Sequence, residues 1–384
     1  MPDRRRRPSD GRPSSVALLA LQRGLTGDRA LAGSGYMDDP DYLAAYLEYY
    51  RAVSMAQVGR IVDLSGIAPR SVLDLGAGPG SVSLELLGRG VRRFFLVDSS
   101  RAALDAATAS IRESAGRLGV QVDIETRVAD LESPDAIPEG RRFDLAAFGH
   151  CLNEIGKGDD RFSRRRDVVD RAARALAPGG SVMLLEPATL AASRDALALR
   201  DALVSDGWTI EAPCTLCGLC PALAAGPNHT CHDEAAWEVP TGVRRLAEAA
   251  GLDRELIKMT WYVVSASSRR VSASSRRVSA SLDHVSASSN HGPTASGDFG
   301  EGYYRVVSAP MLNKGGRVRY LLCGPSGRFP FSARQDDAAA RSAGFFELGR
   351  YDLITVDKPE RRENGWGFGP GTRLRRLPPG AERG

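Results

Sequence analysis

The chain has 384 residues, 42% of them hydrophobic and 26% charged, with a formal net charge of +4. This is the composition of an ordinary folded protein with room for two domains, and no apolar run reaches the length of a membrane span. The net charge is too small to make the whole surface polybasic. Arginine nevertheless gathers near both ends, at Arg4–Arg7 and at Arg361, Arg362, Arg373, Arg375 and Arg376. Residues 1–35 and 358–384 are therefore predicted to be solvated, disordered basic tails. After MPDRRRRPSDGR, the apolar run Val16–Leu21 is too short for a signal-peptide core. The expected compartment is cytoplasmic, with reduced cysteines and no membrane partner.

Residues 36–212 are predicted to hold N-terminal helices followed by an α/β unit. From Ser71 to Pro187, strand-like and helix-like stretches alternate, the pattern of a parallel sheet covered by helices. The apolar strand Val72–Leu75 runs into Gly76-Ala77-Gly78-Pro79-Gly80 and then the helical stretch Ser81–Leu87. Glycines at alternate positions let the backbone pass close beneath a ligand. A second strand, Phe94–Val97, ends on Asp98, eighteen positions past Gly80, where a carboxylate suits the ribose hydroxyls of an adenosine. A dinucleotide turn reads G-x-G-x-x-G and seats a pyrophosphate. Here Asp74 precedes Gly76, Gly78 and Gly80, which repels a pyrophosphate and suits the cationic groups of S-adenosylmethionine. The pattern resembles motif I of the class I methyltransferases. That resemblance places Asp130, after a third strand, against the adenine, with Phe143–Phe148 as the fourth strand and Ser181–Leu185 as the fifth.

Catalysis belongs at the end of the fourth strand, which reads Gly149-His150-Cys151-Leu152-Asn153-Glu154. The Asn/Asp-Pro-Pro-aromatic motif of enzymes that methylate exocyclic base amines is absent. His150 and Glu154 are weak candidates for a general base and its orienting carboxylate. Cys151 lacks the Pro-Cys context of a methyl-accepting nucleophile.

Residues 213–263 are predicted to form a cysteine-rich metal-binding segment. Cys214, Cys217, Cys220 and Cys231 crowd a stretch rich in Pro, Gly, Asn and Thr, too poor in apolar side chains to collapse by burial alone. A metal centre supplies what such a core lacks, about 10–16 kcal/mol for structural zinc. Cys214-x2-Cys217-x2-Cys220-Pro221 is nearer to an iron–sulfur run than to paired zinc knuckles. A further ligand would come from Cys231 or Cys323. His229 and His232 are the mixed-ligand alternatives that would favour zinc.

Val264–His291 comprises four seven-residue units, VSASSRR, VSASSRR, VSASLDH and VSASSNH. One valine per unit contributes about 1.5–3 kcal/mol at best, against roughly 1–2 kcal/mol to fix each residue's backbone. Residues 264–298 are therefore predicted to be a disordered insertion. Residues 299–357 are predicted to be β-rich, over Tyr303–Ser308, Gly316–Cys323 and Tyr351–Val356. Within them Arg317-Val318-Arg319-Tyr320 offers basic and aromatic side chains to RNA.

A class I methyltransferase pattern followed by an APC…CP…CH array resembles the methyltransferase-like proteins of mitochondrial small-ribosomal-subunit assembly and their bacterial relatives. The resemblance covers roughly residues 36–356 apart from the repeat. It rests on His150-x2-Asn153-Glu154, Arg200–Leu203, Ala212-Pro213-Cys214, Cys220-Pro221, Cys231-His232, Tyr304–Val307 and Leu322–Pro325. It implies a 4Fe–4S cluster held by Cys214, Cys220, Cys231 and Cys323, leaving Cys217 as the odd thiol, whereas the local triplet favours Cys217. Thr215-Leu216 departs from the family's Pro-His after the first cysteine.

The expected architecture is an α/β, Rossmann-like class I methyltransferase sheet with a cysteine-rich insertion and a small β-rich C-terminal part. The implied role is that of an S-adenosylmethionine-binding iron–sulfur protein of small-subunit assembly and translation, in contact with rRNA. The rivals are an active RNA methyltransferase and a small-molecule methyltransferase with structural zinc. A radical S-adenosylmethionine enzyme is disfavoured, because its C-x3-C-x2-C triplet is missing.

Overall fold

The computed structural model describes residues 14–27, 30–31, 35–156, 158–216, 218–266 and 302–378. Cys217 and the bulk of the serine-rich repeat lie outside them. The first sheet takes β1 (Ser71–Leu75), β2 (Arg93–Asp98), β3 (Asp123–Val128), β4 (Phe143–Gly149), β5 (Leu176–Pro187), β6 (Thr209–Ala212), β7 (Asp233–Ala236) and β8 (Leu256–Ser265). Their order is β3-β2-β1-β4-β5-β8-β6, with β7 also paired to β8. The first five strands are parallel, and β8 is antiparallel to β5, β6 and β7. This is an α/β, Rossmann-like sheet, buried on both faces as parallel strands require. Val72, Phe94, Leu96 and Leu145 pack on one side and Leu73, Phe95, Val97 and Phe148 on the other.

The second sheet takes β9 (Tyr304–Val306), β10 (Met311–Leu312), β11 (Arg317–Gly324), β12 (Gly327–Arg334), β13 (Leu353–Asp357), β14 (Glu360–Arg362), β15 (Gly365–Gly367) and β16 (Arg373–Leu377). Its order is β14-β15-β12-β11-β9-β13-β16, with β10 on β11. An aromatic core of Tyr304, Tyr320, Phe329, Phe331, Phe345 and Phe368 fills it, with edge-on ring pairs such as Tyr320–Phe345 at 5.1 Å.

Four expectations change. The helix Ser14–Gln22 buries Ala17, Leu18 and Leu21, so the first predicted tail contains a packed amphipathic element. The last predicted tail supplies β14, β15 and β16, because Leu374 and Phe368 have apolar partners in the aromatic core. The first sheet does not end at residue 212. β8 fills the place between β5 and β6, and it takes in Val264 and Ser265 at the start of the repeat, Val264 being fully buried. Finally, strand alternation turns Val318 and Tyr320 inward, so Arg317 and Arg319 face out without an aromatic between them.

The two sheets meet around buried charge. Asp233, with no exposure, accepts from Arg60 Nε at 2.7 Å and Nη2 at 2.8 Å and from Trp261 Nε1 at 3.1 Å. The same Arg60 Nη2 donates to the carbonyl of Arg350 at 3.1 Å. Buried Arg305, on β9, donates to the carbonyl of Pro213 at 2.9 Å and to that of Tyr351 at 3.0 Å. Replacing Asp233 with alanine leaves a buried indole N–H and a guanidinium without their acceptor. We expect a loss of about 3–5 kcal/mol, measured by urea unfolding, and a loss below 1 kcal/mol would show that this ion pair does not hold the junction.

Candidate functional site

A cavity of about 870 Å³ opens at the carboxyl ends of β1, β2 and β4, where open α/β sheets bind ligands. The turn after β1 forms its floor. Gly76 and Ala77 donate to the carbonyl of Val97 at 2.9 and 3.0 Å, fastening the turn to the end of β2. Gly76 and Gly78 have φ of +69° and +51°, the left-handed region that favours glycine. A Cβ on Gly76 would lie 2.5 Å from Cys151 Cβ, whereas one on Gly78 would meet only Met37 at 3.9 Å.

Asp98 reaches the cavity, with one carboxylate oxygen accepting from Gly78 N at 2.8 Å and the other from Ser100 N at 2.9 Å. A carboxylate offers about four acceptor positions, so these donors do not saturate it. Burial raises its pKa above the ordinary carboxylate value, and the backbone donors oppose that shift. Asp130 also lines the cavity and accepts from Glu132 N at 2.8 Å. Asp74 and Gly80 differ from expectation, because neither is a lining residue. Asp74 is fully buried beneath the turn and accepts from Ser83 Oγ at 2.6 Å, stapling β1 to the helix Ser81–Gly88. Burial pushes its carboxyl up to about 7. Gly80 is there for packing, since a Cβ would come within 2.8 Å of Ala107 Cβ.

Both catalytic candidates line the cavity. His150 has φ +64° and is pinned by its backbone N–H to Leu185 O at 2.7 Å and its ring Nε2 to Gln57 Oε1 at 2.8 Å. Burial and the nearby Arg254 push its imidazole down to about 4, leaving it neutral. The Cys151 thiol donates to Leu75 O at 3.1 Å, and burial raises its pKa well above the ordinary value, which removes the thiolate a nucleophile needs. The remaining wall comes from Tyr36, Met37, Asp38, Tyr46, Tyr50 and Gln57. The tyrosine-dense stretch Tyr42–Tyr50 was the only sequence signal for it, and nothing in its spacing pointed to the glycine turn.

A second cavity, about 30 Å³, lies at the junction of the sheets. Cys214, Cys220, Cys231 and Cys323 all line it, whereas His229 and His232 do not. These four thiols are unbridged. Among the described residues no group of three or more His, Cys, Asp or Glu is placed to hold a metal ion. Three guanidiniums, Arg200, Arg305 and Arg328, line the same cavity with no carboxylate. Arg200 donates to Asp201 Oδ1 at 2.6 Å and to Leu216 O at 3.1 Å, while Asp201 accepts from Cys220 N at 2.9 Å, so this pair shapes the cysteine loop. The Nε donors of Arg200 and Arg328 are buried without a partner. Thr215 Oγ1 donates to Cys323 O at 3.1 Å, and Tyr351 Oη lies 3.6 Å from Cys231 Sγ. Burial drives the thiols toward their neutral form, Cys214 up to about 12. The donor set is thus four soft sulfurs facing three cations, with orphaned N–H groups that lack an anionic acceptor.

A family model described as "Mitochondrial small ribosomal subunit Rsm22" matches residues 42–332. The chain belongs to the Rsm22 family. No curated protein matches this Rsm22-family chain. Solved structures similar to it include the N-methyltransferase NodS from Bradyrhizobium japonicum WM9 in complex with S-adenosyl-L-homocysteine, 15% identical over 64% of this chain and 97% of that one, TM-score 0.34. An O-methyltransferase family protein from Burkholderia thailandensis is 19% identical over 66% and 72%, TM-score 0.37. A putative RNA methyltransferase from Pyrococcus horikoshii is 15% identical over 66% and 95%, TM-score 0.33. No helix among the described residues is long and apolar enough to cross a membrane.

The two glycines separate backbone strain from collision. Gly76→Ala meets both the left-handed backbone penalty, about 1–2 kcal/mol, and an overpacking cost of about 1–3 kcal/mol against Cys151. Gly78→Ala meets only the first. We expect thermal unfolding to show Gly76→Ala as the more destabilised by at least 1 kcal/mol, and equal losses would mean that the packing of Cys151 under the turn is wrong.

Proposed function

We propose that this Rsm22-family protein binds S-adenosylmethionine and a 4Fe–4S cluster and acts in small-ribosomal-subunit assembly and translation, in contact with rRNA, in a reducing compartment such as the cytoplasm. The observation that carries the reading is the convergence of Cys214, Cys220, Cys231 and Cys323, from both sheets, on one cavity lined by three guanidiniums. The unpartnered Nε donors of Arg200 and Arg328 suit a buried anionic group bearing sulfur acceptors. Four iron–thiolate bonds there would cross-link the two sheets. A mixed cysteine–histidine zinc site is not supported, since the two histidines lie off the cavity lining, whereas a four-cysteine zinc site is the rival that the metal assay below decides. S-adenosylmethionine is supported by Gly76, Gly78, Asp98 and Asp130 around the larger cavity, and when bound it supplies an electrophilic methyl group. Asp98 would accept from the ribose hydroxyls with its remaining lone pairs, and the bare turn at Gly76 and Gly78 would admit the ligand's close approach. RNA contact is supported by exposed Arg319, Arg373 and Arg375 on the second sheet, placed for phosphates rather than bases.

Two measurements test this. Anaerobically purified protein should be brown with matching iron and sulfide. Iron should be lost in Cys214→Ser, Cys220→Ser, Cys231→Ser and Cys323→Ser and kept in Cys217→Ser. Colourless protein with stoichiometric zinc, or full iron in Cys323→Ser, would overturn the cluster. Asp98→Ala should weaken S-adenosylmethionine binding tenfold or more in titration calorimetry, since each charged-acceptor hydrogen bond contributes about 1.5–3 kcal/mol. Unchanged affinity would place the cofactor elsewhere.

A further inference from the structure

The larger cavity continues beyond the cofactor cradle into a chamber walled by Tyr46, Tyr50, Gln57, His150, Thr189 and Arg254. Hydrogen bonding there settles the tautomer of His150. The Gln57 amide nitrogen, Nε2, donates to the carbonyl of Lys258 at 3.1 Å, so its oxygen is the end that faces the histidine. That oxygen accepts only, and His150 Nε2 at 2.8 Å must therefore carry the hydrogen. A neutral imidazole has one N–H, which leaves Nδ1 as the lone-pair nitrogen. Among the described residues Nδ1 has no hydrogen-bond partner, and His150 lines the cavity, to which this nitrogen is left accessible. The ring is held there by a backbone at φ +64°, a conformation costly for a histidine, and by Asn153 Nδ2, which donates to its carbonyl at 2.8 Å.

We propose that His150 Nδ1 is the proton acceptor for methyl transfer to a planar, anionic acceptor seated in this chamber, with Gln57 as the residue that fixes its tautomer. The inference rests on the S-adenosylmethionine reading proposed above. Two tyrosine rings, Tyr46 and Tyr50, with centroids 5.4 Å apart, form an aromatic wall, and Arg254, whose Nε donates to Tyr49 Oη, lines the same cavity with no carboxylate partner among the described residues. Aromatic faces beside a guanidinium suit a ring carrying phosphate, and a nucleotide is the simplest such acceptor. In the transfer, the acceptor's N or O lone pair bonds to the methyl carbon while the methyl–sulfur bond breaks, the pair staying on sulfur to leave S-adenosylhomocysteine. The proton shed by the acceptor's N–H or O–H passes to Nδ1, and the imidazolium then releases it to water. A hydroxyl oxygen or an exocyclic aromatic amine that has just been alkylated, and still carries its proton, is far more acidic than an imidazolium, so for these acceptors a weakly basic ring is sufficient.

The test uses the full chain. Calorimetry first establishes S-adenosylmethionine binding. Methyl-tritiated cofactor is then supplied with two acceptor probes, an unmodified small-subunit rRNA transcript and a mixture of nucleoside monophosphates, to separate an RNA residue from a free nucleotide. We expect label on one of the two, reduced about a hundredfold or more in His150→Asn, with cofactor affinity within twofold of the parent. Nitrogen-15 histidine spectra should show His150 as the Nε2–H tautomer, and Gln57→Leu should turn it into a mixture and lower the transfer rate. Cofactor binding with no label on either probe, transfer that survives in His150→Asn, or a wild-type Nδ1–H tautomer would overturn this inference alone. Absence of cofactor binding would overturn the underlying reading as well.

Discussion

Asp233 is the constraint on which the junction depends. A carboxylate without any exposure is stable only if its oxygens are filled, and here they are filled by Arg60 from the N-terminal helices and Trp261 from β8. Because β7 also pairs with β8, this one side chain fixes the strand that follows Cys231, and Arg60 carries the same network to Arg350 in the C-terminal half. The position of the cysteine cavity follows from that arrangement. Cys231 comes two residues before Asp233, and the ring of Tyr351, beside Arg350, lies 6.0 Å from that of Trp261.

The two cavities solve opposite electrostatic problems. Around the cofactor cradle of the larger one, carboxylates gather: Asp98, Asp130 and Glu154 line the cavity and Asp74 lies beneath its floor with one oxygen unpartnered, although Arg164, Arg254 and Lys258 also contribute to the lining. Around the smaller one, cations gather, with Arg200, Arg305 and Arg328 beside thiols that burial keeps protonated. A negative cradle suits a cationic ligand and a positive one suits an anionic ligand. The protein thus separates, within one molecule, binding environments that would disfavour each other's occupants.

Most of the first sheet was legible because its signals are local. A glycine turn between a strand and a helix, and an acidic residue closing the next strand, are set by backbone sterics and short spacing, and β1, β2 and β4 fell where they were predicted. What was misread depended on distant partners. Asp74 precedes the glycines in the order of a ligand-contacting acid, yet which way it points is decided by Ser83 and the helix above it. The strand that completes the first sheet, β8, lies mostly within the predicted cysteine-rich segment, and only its pairing with β5 and β6 shows where it belongs. The arginine-rich end looked like tail because charge dominates its composition, although single apolar residues such as Leu374 and Phe368 were enough to bring it into an aromatic core. Gln57 carried no sequence signal at all, since its role arises from a carbonyl two hundred residues away.

The wall of the smaller cavity has an order in time as well as in space. Cys214, Cys220 and Cys231 leave the ribosome well before β11 and β12 bring Cys323 and Arg328, and domains fold as units during synthesis. During that interval the first sheet can close while its three thiols face solvent instead of their fourth partner. The chain therefore passes through a stage in which three of its thiols are exposed and only Arg200 of the three cations is present, and translation itself sets how long that stage lasts.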